Sequence, residues 1–543
     1  MRIIGSPSSC ALLAGGLVVL LVAEARAAGP EPKHAFPLGV QRGATVEVAV
    51  DGNFPKWPLG VWIDRPGLSI TAGEKGKLSV AAAADASPGV YWLRMYDDAP
   101  AAAPQPFVVG TLTQINEAEP NNGPEQAQAV DASTVVNGRL SPGGDVDHVA
   151  VNLSQGQTLV ASLAAHETLG SQFDGVMQIV GPAGSVVAYN HDHGGLDPQI
   201  AFVAPADGKY LVRVFGFPSA PNSTIGFAGS DAYIYRLTLA TGGFVDYPWP
   251  LAVTRGSDAQ VELFGWNLPQ SVKLLAVRGD GETATLSDPQ LANTVSVAVE
   301  PHATAVVSEP NELAAPEKIE LPLTVSGRLE SPGDVDAFAF AGTKGQVVAF
   351  ELSGRSLGYP IDGVLEVFDE AGTSLARADD VGEARDPVLA FSPPADGMFR
   401  IVVSDLNGQG SGRHVYRLRA ALQQPEFALS TDAHAVELVA GMPTEISVAV
   451  ERRHGFAEEI ALSVTGLPEF VTVAPATSAA AGDSAKTVKL VLTTDQGPFS
   501  GPIRVVGTAT GASQLVRTST AAIPNHESRT SDVWLTVIGE PKK

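Results

Sequence analysis

Cysteine is almost missing from this chain: Cys10 is the only one in 543 residues. It lies in a segment expected to be removed, so the mature chain is expected to carry no thiol. That excludes thiol catalysis, cysteine-based zinc sites and internal disulfides, and leaves core burial or metal to hold the fold together. Basic clusters are lacking too. Lys and Arg total 35 against 59 Asp and Glu, for a formal charge of -24. Such a surface repels phosphate backbones and anionic lipid, so nucleic acid is not an expected partner. Divalent cations suit it better, although surplus carboxylates also simply keep an exported chain soluble. No long apolar stripe of period 3.6 is present, which argues against a helical domain. Catalytic signatures are equally scarce. The chain has no His-Glu-x-x-His, no Gly-x-Ser-x-Gly and no phosphate-binding glycine loop ahead of a plausible helix. The cluster Gly408–Gly412 sets Ser411 one position late for a nucleophile elbow.

What is present begins with an export signal. Arg2 gives a positive start, Ala11–Ala23 is unbroken apolar sequence, and Ala25-Arg26-Ala27 has the small-x-small form of a cleavage site. Residues 1–27 are therefore expected to be a signal peptide. The apolar run is shorter than the ~20 residues a helix needs to cross a bilayer, so no membrane span is expected after removal. Cys10 precedes the run instead of closing it, which speaks against a lipoprotein signal.

The rest reads as all-β. Short alternating runs such as Thr45–Val50, Lys209–Phe215 and Phe399–Val403 are punctuated by Gly, Pro, Asp and Asn, the pattern of sandwiches and barrels.

Internal repetition is the strongest signal. PLGVQRG at 37–43 returns as PLAVTRG at 250–256, each followed by an alternating strand. EPNN at 119–122 returns as EPNE at 309–312, and VNGRLSPGGDVDHVAV at 136–151 as VSGRLESPGDVDAFAF at 325–340. Further matches keep their order: Asp174-Gly175 with Asp362-Gly363, Asp197-Pro198 with Asp386-Pro387, and Tyr235-Arg236-Leu237 with Tyr416-Arg417-Leu418. A pair of sandwiches has been copied in tandem. The expected domains are a small sandwich at 29–114, a large one at 115–242, a second small one at 243–306, a second large one at 307–422, and an unduplicated sandwich at 424–539.

The large repeat resembles the bacterial pre-peptidase C-terminal (PPC) domain family, which is related to the collagen-binding domains of clostridial collagenases. The resemblance rests on Glu119-Pro120-Asn121-Asn122, on Gly138-Arg139-Leu140, and on Asp145-Val146-Asp147-His148. The Asp207-Gly208-x-Tyr210 hairpin and the closing Tyr-x-Leu strand complete it. The small repeats look like immunoglobulin-like or IPT-type domains. The implied fold is a tandem array of β-sandwiches, with jelly-roll-like PPC modules alternating with Ig-like ones. The implied setting is a secreted or cell-envelope (periplasmic) protein of a bacterium.

The resemblance also implies calcium as a structural cofactor, a cation that takes six to eight oxygen ligands. In the first copy it points to Glu117, Glu119, Asn121 and Asn122 on the entry linker, with Asp145 and Asp147 on the facing loop. Residues two apart on an extended chain share a side, so Glu117, Glu119 and Asn121 can face one ion. The second copy keeps Glu309, Asn311, Asp334 and Asp336, but has Val307 for Glu117 and Glu312 for Asn122, so its site is expected to be altered or weaker. These acids also suit strand and turn capping.

Two other features invite a site. The collagen-binding relatives use exposed aromatics on one sheet face, and Tyr233 and Tyr235 stand near the last strand of the first copy; alternating Tyr on a strand more often fills a core. His191-Asp192-His193 offers two imidazoles and a carboxylate but no third imidazole in reach, and reads as a solvated loop. The expected function is non-enzymatic: binding or adhesion toward extracellular polysaccharide or protein, with an envelope scaffold or spacer as the alternative and a hydrolase with a cryptic site in the unduplicated C-terminal domain as the third reading.

Overall fold

The structure, a computed structural model, describes residues 28–220, 226–380 and 385–539. The expected signal peptide, with Cys10, lies outside the described residues. Strands dominate throughout. Helix among the described residues is confined to the single turn His166–Leu169 and three short 3-10 turns.

Period-two alternation sets each sandwich against its core. In the strand Thr45–Asn53, Val48 and Val50 are buried while Glu47, Ala49 and Asp51 face water. A one-residue slip would exchange those faces, so burial fixes the register. Central strands of the large sandwiches are buried on both faces, as Asp147–Leu153 is along nearly its whole length.

Among the described residues ten sheets of three to six strands make five sandwiches, and a two-stranded ribbon joins Ala521–Ala522 to Arg529–Thr530. In the first large sandwich one sheet runs Gln128–Ala129, Asp147–Leu153, Gly208–Pro218, Phe173–Val180, Val186–Asn190. The other runs Gln199–Val203, Thr158–Ala164, Ile234–Ala240, Thr134–Arg139, Thr113–Asn116. The second large sandwich repeats both orders with Glu317–Lys318, Val335–Gly342, Gly397–Asp405, Gly363–Phe368, Ser374–Ala378, and with Val388–Phe391, Val348–Ser353, Val415–Leu422, Leu323–Arg328, Ala303–Val306. The small N-terminal sandwich has two four-stranded sheets in an immunoglobulin-type order. The third sandwich keeps only three strands per sheet.

Two expected boundaries move by a few residues. Thr113–Asn116 pairs in parallel with Thr134–Arg139, so the first large sandwich takes residues assigned to the small one. Likewise Ala303–Val306 pairs with Leu323–Arg328 and leaves the third sandwich for the fourth. A short alternating strand suits the edge of either neighbour; only its pairing partner decides.

The sandwiches interlock. Tyr247 and Leu251 of the third are packed into the core of the fourth, and Leu169 and Ile234 of the second into that of the first. The last sandwich returns to the first. Trp534 packs edge-on to Trp62, at 6.0 Å between ring centres, and the buried Arg94 guanidinium lies 3.1 Å from His434 Nδ1.

Candidate metal centre

The site forms where the entry linker crosses the start of strand Asp147–Leu153. Beyond Thr113–Asn116 the linker leaves the sheet and bends at Glu119. Glu117, Glu119 and Asp147 each bring a carboxylate oxygen to one place, all within 4.8 Å of one another. Asn121 is completely buried beside them, while Asn122 faces solvent.

Partners on the far side of the fold hold this group. Tyr235, in the closing strand, donates its phenol O–H to Asp147 Oδ2 at 2.7 Å and lies 3.4 Å from Glu117 Oε2. Its ring lies over Gly138, the residue opposite it in register. A Cβ there would sit 2.2 Å from the Tyr235 ring and 2.5 Å from Glu117 Oε2, so only glycine leaves the path open. Glu117 Oε1 accepts the Arg139 N–H at 2.8 Å, and Glu119 Oε2 that of Asn121 at 2.9 Å.

Burial pushes the Glu117 carboxyl up to about 7. It pushes Asp147 up to about 9, with the neighbouring Glu117 charge adding to the rise. Asp147 Oδ1 and both polar atoms of the Asn121 side chain are buried with no hydrogen-bond partner. Stripping a polar atom of water without replacing the bond costs about 1–3 kcal/mol. A donor set of carboxylate and amide oxygens, with bare acceptors at its centre, fits a hard cation such as calcium. Glu117, Glu119, Asp147 and the Asn121 carbonyl are the groups that would hold it.

Asp145 does not join the cluster. Its two oxygens accept the backbone N–H groups of Ser141 and Val146, at 2.7 and 2.9 Å, which makes it a turn cap. Asn122, expected among the ligands, is exposed, while Asn121 is buried.

The second copy assembles a different trio. Glu309, Asp334 and Asp336 meet within the same 4.8 Å, so the loop aspartate enters where the linker has Val307. One Asp334 oxygen still caps the turn through the Glu330 N–H at 2.6 Å. Asp336 has both oxygens engaged, one by the Asn311 amide at 3.0 Å and one by the Tyr416 phenol. Burial raises Asp336 to about 7, and only Asn311 Oδ1 is left bare. Glu312, like Asn122, is exposed.

Other sequence candidates resolve into structural roles. Tyr235 is wholly buried and is no part of an exposed platform, and Tyr233 packs against Phe173 at 5.5 Å. Asp197 caps the helical turn through the N–H groups of Ala165, His166 and Glu167. His191 pairs with Asp192 at the surface. His193, read as part of a solvated loop, instead enters a three-sandwich joint: its Nε2 lies 3.2 Å from Arg413, which grips Asp246 through two bonds of 2.6 and 3.0 Å. A partner 220 residues away could not be read from the local pattern. Ser411 contacts His414 Nδ1 at 2.8 Å, but nearby Asp405 spends its oxygens on the backbone N–H groups of Asp362, Asn407 and Gln409.

No family model and no curated protein matches the chain. Among solved structures it is similar to the pre-peptidase C-terminal domain of collagenase from Bacillus anthracis, at 19% identity and a TM-score of 0.17, over 21% of this chain and 99% of that one. It is also similar to fibronectin(III)-like modules of Clostridium thermocellum CbhA, at 10% identity and 0.14, over 36% and 90%. A third likeness is to the N-terminal four Ig domains of Dscam1 isoform 4.4, at 11% identity and 0.16, over 91% and 99%.

Proposed function

We propose that this chain is an exported, non-catalytic binding protein, whose two large PPC-type sandwiches are stiffened at their entry linkers by calcium and whose first large sandwich engages polysaccharide or protein outside the cytoplasm. The observation that carries this reading is a difference between the two copies. On the outer face of the sheet containing Gly208–Pro218, Phe215, Phe217 and Phe227 form an aromatic cluster with ring centres 4.5 to 6.3 Å apart. Tyr189, in the strand Val186–Asn190, is 65% exposed.

Registers align the copies residue by residue. Phe215 opposes Val176 and Tyr189 opposes Gln178 in the first; in the second, Ser404 opposes Val364 and Arg377 opposes Glu366. Leu211 is likewise replaced by Arg400, opposite Val180 and Phe368 respectively. At these three positions the first copy has Phe215, Tyr189 and Leu211 where the second has Ser404, Arg377 and Arg400. Elsewhere on the face Arg213 answers to Val402 and Phe217 to the exposed Leu406. What sets the first copy apart is the aromatic cluster with its exposed Phe217 and Phe227 and the exposed Tyr189 nearby. Contiguous exposed apolar patches mark interaction surfaces in soluble proteins.

The scaffold reading draws support from the interlocked sandwiches. One experiment separates the two. The mature chain and a Phe217→Ser/Tyr189→Ser variant are applied to an array of glycans and matrix proteins. Binding that falls at least tenfold in the variant supports recognition through this face, in line with the weight of aromatic anchors in interfaces. A blank array, or equal binding by both proteins, overturns it and leaves the scaffold reading.

A further inference from the structure

A cavity opens where the first, second and last sandwiches meet. It encloses about 180 Å³, room for on the order of ten waters and hence for one sugar ring. The N-terminal sandwich contributes Lys33, His34, Trp92 and Gln105, the first large one Tyr233, and the last one His526.

Its charge runs against that of the molecule. The chain carries -24 overall, yet no Asp or Glu stands among the lining residues, while a lysine and two histidines do. The acid beside the rim, Asp231, is exposed and accepts the Ser141 hydroxyl at 2.6 Å. Glu527 follows His526 in sequence but does not line the cavity. A cleft lined by one sign of charge between low-dielectric walls concentrates ligands of the opposite sign.

The polar groups are also unspent. Among the described residues the Lys33 ammonium, the Gln105 amide, the Trp92 indole N–H and the Tyr233 hydroxyl have no side-chain hydrogen bond or ion pair. The His34 ring makes no hydrogen bond but lies in the field of Asp231, whose carboxyl is held below its ordinary value by the Ser141 hydroxyl and, more weakly, by Arg139 and His34. His526, by contrast, is fixed. Its Nδ1 accepts the Ser528 N–H at 2.9 Å, its Nε2 lies 3.4 Å from the Thr168 carbonyl, and its ring meets Trp92 edge-on at 4.8 Å. The last sandwich thus holds the indole in place. Rigid aromatic walls and a few convergent polar groups are the makings of a small-molecule site.

We propose that this cavity binds a carboxylate-bearing sugar ring, such as a uronic acid unit of a polysaccharide. The indole and phenol would face the apolar C–H surface of the ring, and Lys33 and His34 would take the carboxylate. The inference rests on the binding reading above for its biological sense, but on none of the same residues.

The test is calorimetric titration of the mature chain with glucuronate, glucose and acetate, repeated on a Lys33→Met variant that melts with the wild type. Glucuronate is expected to bind, glucose and acetate to bind at least tenfold more weakly, and Lys33→Met to weaken glucuronate about tenfold. Absence of glucuronate binding at millimolar concentration overturns the proposal. So does equal binding of either partial probe, or a Lys33→Met variant that binds as well as wild type. If the array of glycans and matrix proteins is positive while glucuronate is not bound, the cavity assignment fails alone. If glucuronate binds through Lys33 while the array is blank, the recognition reading fails alone.

Discussion

Tyr235 donates its phenol O–H to Asp147 across 2.7 Å at the edge of a closed core, and Gly138 is the residue that leaves room for it to do so. In the second copy Tyr416 reaches Asp336 over Gly327 by the same route. The two copies differ in what is left over. Asp147 Oδ1 is bare, whereas Asp336 has no oxygen unpartnered. A buried acceptor with nothing to accept is the feature that separates a waiting ligand from a finished hydrogen-bond network.

Calcium should therefore stabilise the first copy more than the second. A cation held only by the folded state adds about 2.7 kcal/mol when present at a hundred times its dissociation constant. Calorimetric scans of the mature chain in calcium and in chelator are expected to show one transition moving upward. Glu117→Gln with Asp147→Asn should abolish that movement, and Glu309→Gln should leave most of it. A shift unaffected by the first pair of changes would place the ion elsewhere.

The same carboxylates make stability in chelator depend on pH. Burial holds Glu117 at about 7 and Asp147 at about 9, both above the values near 4 of an unfolded chain. As pH rises, the unfolded state gives up these protons first, so stability is lost from about pH 4 upward and continues to fall until the folded groups titrate. Melting in chelator should thus be lower at pH 8.5 than at pH 5.5. Asp147→Asn should flatten that slope, and calcium should offset it at the higher pH. A chelated chain that gains stability across this window would contradict the geometry.

Much of this was legible in the chain before folding. Alternation and turn residues are local, and they announce sandwiches wherever Val48 and Val50 point in while Glu47 points out. The repeated Gly138-x-Leu140 and Tyr235-x-Leu237 motifs were visible as motifs. Their connection was not, because Tyr235 meets Asp147 from 88 positions away and only strand register brings it there. Asp145 illustrates the reverse error: it has the right chemistry beside the site, yet turn formation takes both of its oxygens. The cavity drew its walls from three sandwiches, and His193 found its partner in a fourth. Neither has a local signature.

Gly138→Ala tests the close approach directly. The added Cβ would sit 2.2 Å from the Tyr235 ring, forcing the phenol off Asp147 or the strands apart. Overpacking of this kind costs about 1–3 kcal/mol, and calcium-dependent stabilisation should disappear with it. Gly143→Ala, where an added Cβ meets nothing within 4 Å, is the control and should change neither property.

The joint among the middle sandwiches makes a separate prediction. Arg413 pairs through two bonds with Asp246, whose side chain is only 6% exposed, and this contact ties the third sandwich to the fourth with His193 of the second alongside. Arg413→Ala would strand a buried charge, which typically costs about 3–5 kcal/mol. Asp246→Ala in the same chain removes the stranded charge, so the double variant should be more stable than Arg413→Ala alone. Chemical denaturation of the wild type, both single variants and the double variant closes the cycle. Were the two losses simply to add, Arg413 and Asp246 would not be acting on each other, and the rigidity assigned to this joint would have to come from the packing of Tyr247 and Leu251 alone.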